Sequence, residues 1–150
     1  MKKVLLIFVG LFIAATAFCQ AENPVQRTFA ANKKANKIYD VVITATFSKP
    51  WHLYSQNTPD GGPARTKITF KANPVITFDG SIKETGDLKT IHDENVGVDV
   101  KYYSDKVVFT QTVKLKAAVK THATGTMEYL VCNDTRCLPP KKLPFDITLQ

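Results

Sequence analysis

Tyr39-Asp-Val-Val-Ile-Thr-Ala-Thr-Phe47 is the stretch that decides the fold class. Tyr39, Val41, Ile43, Ala45 and Phe47 recur at period two, the spacing at which a β-strand turns every second side chain to the same face. The same pattern recurs along the chain. Val96, Val98, Val100 and Tyr102 share one face, as do Val107, Phe109, Val113 and Leu115 within Lys106–Lys116. Leu143, Phe145, Ile147 and Leu149 repeat it near the end, and Thr66–Phe70, Val75–Phe78 and Thr124–Val131 are shorter β-rich runs. No segment keeps a helical period. Seven or so strands that each bury one face and wet the other predict an all-β, immunoglobulin-like antiparallel β-sandwich. Ser104-Asp105 is expected to be a hairpin turn, and Pro50–Arg65, with Gly61-Gly62-Pro63, the main irregular stretch.

The chain has 150 residues, 44% of them hydrophobic and 22% charged, values of an ordinary globular domain that exclude wholesale disorder and a polytopic membrane protein. Residues 1–19 have the layout of a secretory signal peptide. Lys2 and Lys3 form a basic start, Val4–Ala17 is uncharged and apolar, and Ala17 and Cys19 would occupy the −3 and −1 positions of a cleavage site. The apolar run is short for a span of about 20 residues. A retained anchor and lipidation of Cys19 are the other readings, and Phe18 is bulkier than the residue lipoprotein processing usually wants. Removal of the leader leaves a single domain, 20–150, with a net charge of +5 and a loose lead of about ten residues. No nucleic-acid motif accompanies its lysines, so the charge reads as a solvated surface.

Two cysteines remain in that domain, within Tyr129-Leu-Val-Cys132-Asn-Asp-Thr-Arg-Cys137-Leu-Pro-Pro140. One strand pattern ends at Cys132 and another resumes after Pro140, so Asn133–Arg136 is expected at a hairpin tip, with the cysteines opposite each other. Three chemistries fit the pair. A structural bridge is one, although closing so short a loop removes only about 2 kcal/mol of unfolded-state entropy. Redox exchange is the second, because a small loop-tip disulfide is open to a partner thiolate. Arg136, Lys141 and Lys142 would favour a thiolate there and Asp134 would oppose it. A soft metal ion is the third, but His52, His92 and His122 lie at no zinc-type spacing from the cysteines. Asp93-Glu94 could serve acid–base work, and adjacent acids in such a loop are more often just solvated. No phosphate loop, serine hydrolase motif or metalloprotease helix is present.

The segment from Tyr129 to Pro140 resembles the active-site hairpin of the N-terminal periplasmic domain of DsbD, the thiol–disulfide interchange protein. Two further stretches are similar to that family. Trp51-His-Leu-Tyr54-Ser55 resembles its aromatic segment, and Asp93-Glu94-Asn95-Val96-Gly97 its cap loop. The resemblance covers roughly Val25 to Leu149. It implies a redox pair, Cys132 and Cys137, with Cys132 exposed and Cys137 its disulfide partner. It places Asp93, Glu94, Asn95, Val96, His52, Tyr54 and Tyr129 beside the pair. It further implies a periplasmic location, thiol–disulfide interchange with thioredoxin-like proteins or a membrane electron donor, and neither metal nor small-molecule cofactor. The cap departs from the family at Asn95 and Val96, where an aromatic residue is expected, so shielding of the disulfide is expected to be weaker or made differently. The 150 residues encode neither an electron channel nor a thioredoxin-like domain, so electrons are expected from another protein. A binding or adaptor module with a static bridge is the alternative from a different class.

Overall fold

The computed structural model describes residues 23–150, and the leader assigned to residues 1–19 falls outside them. All regular structure among the described residues is strand. The strands are β1 (Val25–Ala35), β2 (Ile38–Phe47), β3 (His52–Tyr54), β4 (Lys67–Phe70), β5 (Ile76–Gly86), β6 (Lys89–Asp93), β7 (Val98–Tyr103), β8 (Lys106–Leu115), β9 (Thr121–Tyr129), β10 (Val131–Cys132) and β11 (Lys141–Leu149). They pair antiparallel in three sheets, ordered β1-β2-β8-β5, β11-β9-β4 and β10-β3-β7-β6. The first two form the layers of an immunoglobulin-like sandwich, and the third takes over where β2 and β9 end.

The alternating residues fill the space between layers. Val41, Ile43 and Ala45 of β2 and Val107, Phe109 and Val113 of β8 meet Ala123 and Met127 of β9 and Ile147 and Leu149 of β11 in one buried cluster. Each large side chain so buried contributes roughly 1.5–3 kcal/mol. Gln111 occupies an inward position of β8 between apolar neighbours. It is satisfied because β5 bulges between Asp79 and Lys83, and its Nε2 donates to the carbonyls of Asp79 and Gly80 at 3.0 and 3.3 Å. At the sandwich flank, Gly125 lies between Phe70 and Phe145 in register, and the two rings meet edge-on over it at 5.2 Å. Phe29 on one side and Phe78 on the other extend the row.

Several expectations are corrected. Among the described residues the N-terminal lead is not loose: β1 begins at Val25 and pairs with β2 along its length. Arg27, Lys33 and Lys34 hide its alternation, which an edge strand tolerates because one side of it is wet. The irregular stretch contains β3, and β6 forms from Lys-Thr-Ile-His-Asp, whose single large apolar residue, Ile91, leaves no pattern to read. Ser104-Asp105 does not close a hairpin. It passes the chain from β7, paired with β3 and β6, to β8, paired with β2 and β5. Val96 lies outside β7 in the turn before it, and is 46% exposed.

Strand direction gives the sandwich two ends. The β1–β2, β4–β5 and β8–β9 connections gather at one, tied by Leu115 N–H to the Lys37 carbonyl and Lys116 N–H to the Val75 carbonyl, at 2.8 and 2.9 Å. The β2–β3, β5–β6 and β9–β10 connections gather at the other, which carries the cysteines.

Candidate functional site

Cys132 closes β10 and faces Cys137 across an isolated antiparallel bridge, and the two form a disulfide with Cα atoms 3.9 Å apart. The pair is flanked by Asn133 N–H donating to the Arg136 carbonyl at 2.8 Å and Leu138 N–H donating to the Val131 carbonyl at 2.9 Å. This is the non-hydrogen-bonded position of an antiparallel ladder, where opposing residues come closest. The approach is nearer than the usual disulfide window of roughly 4.4–6.8 Å. Asn133 shapes the tip: its Oδ1 accepts from the backbone N–H groups of Thr135 and Arg136 at 2.9 and 2.8 Å and from the Thr135 hydroxyl at 2.9 Å.

Burial of the two cysteines is the reverse of the expectation. Cys132 is only 2% exposed, clustered with Tyr54 and Val100, whereas Cys137 is exposed. The reason is positional. Cys132 is the last residue of a strand paired with β3, opposite His52, while Cys137 follows the turn and lies outside any strand.

A cleft of about 410 Å³ lies next to the cysteine loop, walled by His52 and Tyr54 of β3, Tyr102 of β7, Ile91 and Asp93 of β6, and Asn133 and Asp134 of that loop. His52 Nε2 lies 3.3 Å from the Tyr54 hydroxyl, and its ring is 4.9 Å from that of Tyr102. Burial pushes the His52 imidazole below its ordinary pKa, against the pull of the Asp134 carboxylate. Burial also raises the Tyr54 phenol, helped by the negative charge of Asp93 and by Tyr102.

The structure thus brings His52 and Tyr54 beside Cys132, and Asp93 into the same cleft as those two. It does not bring the rest. Asp93 Oδ1 accepts from the Asn95 N–H at 2.9 Å, and Gly97, at φ 68°, completes the turn, so Glu94, Asn95 and Val96 point outward and are exposed. The apolar group on the cleft wall from this hairpin is Ile91, 55% exposed, which no sequence pattern marked. Tyr129 is buried in the main core, under the Arg27 guanidinium at 5.9 Å, and lines a different hollow with the Pro59–Arg65 loop. The cations near the cysteines are turned to other partners. Arg136 lies over the Trp51 ring at 5.7 Å, Lys141 donates to Asn23 at 2.9 Å and Lys142 pairs with Glu128 at 2.8 Å. His92 and His122 pair with Asp99 and Asp146 on the surface.

Glu84 was also missed. Its carboxylate accepts from the Ser55 hydroxyl at 2.5 Å, the Gln56 N–H at 2.7 Å and Asn57 Nδ2 at 3.2 Å, pinning the end of β3 to β5. The Tyr103 hydroxyl donates to it as well, at 3.3 Å, and four donors that reach Glu84 only in the folded chain leave no local motif. No cluster of three or more His, Cys, Asp or Glu side chains suited to a metal ion occurs among the described residues.

The family model for the N-terminal part of thiol:disulfide interchange protein DsbD matches residues 20–148. The chain belongs to the DsbD N-terminal family. Its exchange chemistry at the family level is thiol–disulfide interchange. No curated protein matches the chain. Solved DsbD N-terminal domains share its fold. The reduced domain from Neisseria meningitidis superposes with a TM-score of 0.58 at 16% identity, over 89% of this chain and 92% of that one. The N-terminal periplasmic domain of ScsB from Proteus mirabilis gives 0.57 at 15%, over 85% of this chain and 47% of that one. The complex between the DsbD and PilB N-terminal domains of Neisseria meningitidis gives 0.57 at 14%, over 88% of each chain.

Proposed function

We propose that this DsbD N-terminal domain is a periplasmic thiol–disulfide carrier in which Cys137 presents the sulfur that partners attack. The observation that carries this reading is the asymmetry of the bridge, exposed at Cys137 and buried at Cys132. A donor thiolate attacks Cys137 Sγ. The Cys132–Cys137 bond breaks, a mixed disulfide forms on Cys137, and Cys132 leaves with the electron pair and takes up a proton. The donor's second thiolate then attacks the donor sulfur of the mixed disulfide and releases Cys137, so two electrons have entered the domain. In the second half, the Cys137 thiolate attacks an acceptor disulfide and Cys132 resolves the intermediate. Family membership and the DsbD–PilB complex support a protein as partner, either a thioredoxin-like protein or a membrane electron donor.

Single serine variants test the assignment. Reduced Cys132→Ser should trap a mixed disulfide with an oxidised thioredoxin-like protein, and Cys137→Ser should trap little. Equal trapping by both, or by Cys137→Ser alone, would remove Cys137 from the role. A reduction potential far below about −300 mV, with no mixed disulfide from either variant, would mean a static bridge and an adaptor function.

A further inference from the structure

The two ends of the sandwich differ in charge. At the end away from the disulfide, Lys33, Lys37, Lys71, Lys116 and Lys120 lie in or beside the three connecting loops. The acidic side chains of that end are Asp40, Asp79 and Asp146, and each is engaged, with Lys34 at 3.3 Å, Lys114 at 2.8 Å and His122 at 2.6 Å. Lys37, Lys71, Lys116 and Lys120 make no ion pair among the described residues. Acids and bases intermix at the disulfide end, where Asp60, Asp93, Asp105 and Asp134 share the surface with Arg65, Lys101 and Arg136.

Two features of the basic end fit a lipid surface. The loop Lys116-Ala-Ala-Val-Lys120 is exposed throughout, with Val119 46% exposed at an apolar tip bracketed by lysines. Lys33, Lys37 and Lys120 also line a hollow of about 190 Å³ beside Val119, shared with Gln150, whose carbonyl oxygen is taken by the Tyr39 hydroxyl. Apolar side chains entering the headgroup layer while flanking lysines meet phosphates is how peripheral proteins adsorb.

We propose that the basic end docks on an anionic phospholipid surface and holds the disulfide end facing away from it. The nine residues of β9 separate the ends by roughly 30 Å at about 3.3 Å per residue, well beyond the screening length of about 8 Å at physiological salt. A lipid surface at one end therefore leaves the electrostatics of the cleft unchanged.

Flotation of the full chain with vesicles of phosphatidylglycerol and phosphatidylcholine, against pure phosphatidylcholine, tests this. The readout is the change in the difference between the two vesicles on substituting lysines of the basic end, because Lys2 and Lys3 of the N-terminal segment favour anionic vesicles in every variant alike. Anionic vesicles should bind more protein, and high salt should abolish the difference. Lys37→Asn, Lys116→Gln and Lys120→Gln together should weaken it about 100-fold, at about five-fold per lysine. The control pair Lys101→Gln and Lys106→Gln, at the disulfide end, should leave it unchanged. Equal binding to both vesicles would overturn the proposal. Weakening by the control pair at the same factor of about five per lysine would reduce the effect to net charge and overturn it too. Failure to bind vesicles combined with capture by polyglutamate would assign the end to an acidic protein instead. On bound vesicles, Cys137 of the reduced protein should alkylate at its free-protein rate; protection would mean that the wrong end is down. None of these outcomes depends on the exchange activity.

Discussion

At Gly125 an added Cβ would stand 2.3 Å from the Thr69 carbonyl oxygen and 2.5 Å from Phe145 Cζ. The rings of Phe70 and Phe145 cover the backbone there because no side chain intervenes. Gly125→Ala should therefore destabilise the fold by about 3 kcal/mol, the upper part of the overpacking range, read from urea unfolding. His52 carries the second prediction at this scale. Its folded pKa lies below the ordinary 6.5 because burial disfavours the imidazolium. The unfolded chain then binds the extra proton more readily, so the stability contributed by neutral His52 is present above pH 6.5 and drains as pH falls through the folded value. Asp134 works against the shift, and Asp134→Asn should lower the His52 midpoint further in an NMR titration of the imidazole. A midpoint that rises on this substitution would contradict the arrangement.

Within the cysteine hairpin, Asn133 ties the tip together. Its side chain takes three hydrogen bonds across the tip. With Asn133→Ala the turn loses about 1 kcal/mol of support, and the dithiol is held less well in the facing arrangement. The reduction potential should rise by about 20 mV in glutathione equilibration. An unchanged or lowered potential would show that the strands alone hold the cysteines. The link from β3 to β5 obeys the same logic. Glu84→Ala leaves the Ser55, Gln56 and Asn57 donors without their acceptor, and a loss of about 2 kcal/mol in urea unfolding is expected.

For the whole molecule, the disulfide is a minor contributor to stability. The core spans both layers, and the bridge closes a loop of only about six residues, so Cys132→Ser with Cys137→Ser should fold and lose about 2 kcal/mol. Failure of this variant to fold would mean that the bridge organises the sandwich. The polarity of the molecule also belongs to this scale: one end carries the cysteine pair, and the other carries lysines without ion pairs among the described residues.

How much of this was legible follows from the range of the interactions. Period-two alternation in β2, β8 and β11 is a local property, and burying one face per strand leaves little choice but two packed sheets. The hairpin tip at Asn133–Arg136 is local as well, written in the turn residues and in the strand patterns that stop and restart around it. β1 and β6 were not legible, because an edge strand is ordered by its neighbour and its own side chains need not alternate. Which cysteine is exposed also lay beyond the chain's local text. Cys132 is covered only because β10 pairs with β3 and sits against Tyr54 and Val100, residues 78 and 32 positions away in sequence. The sequence by itself determined a β-sandwich with a cysteine hairpin. Tertiary structure decided which cysteine is buried and which exposed, because burial is set by pairings between distant strands.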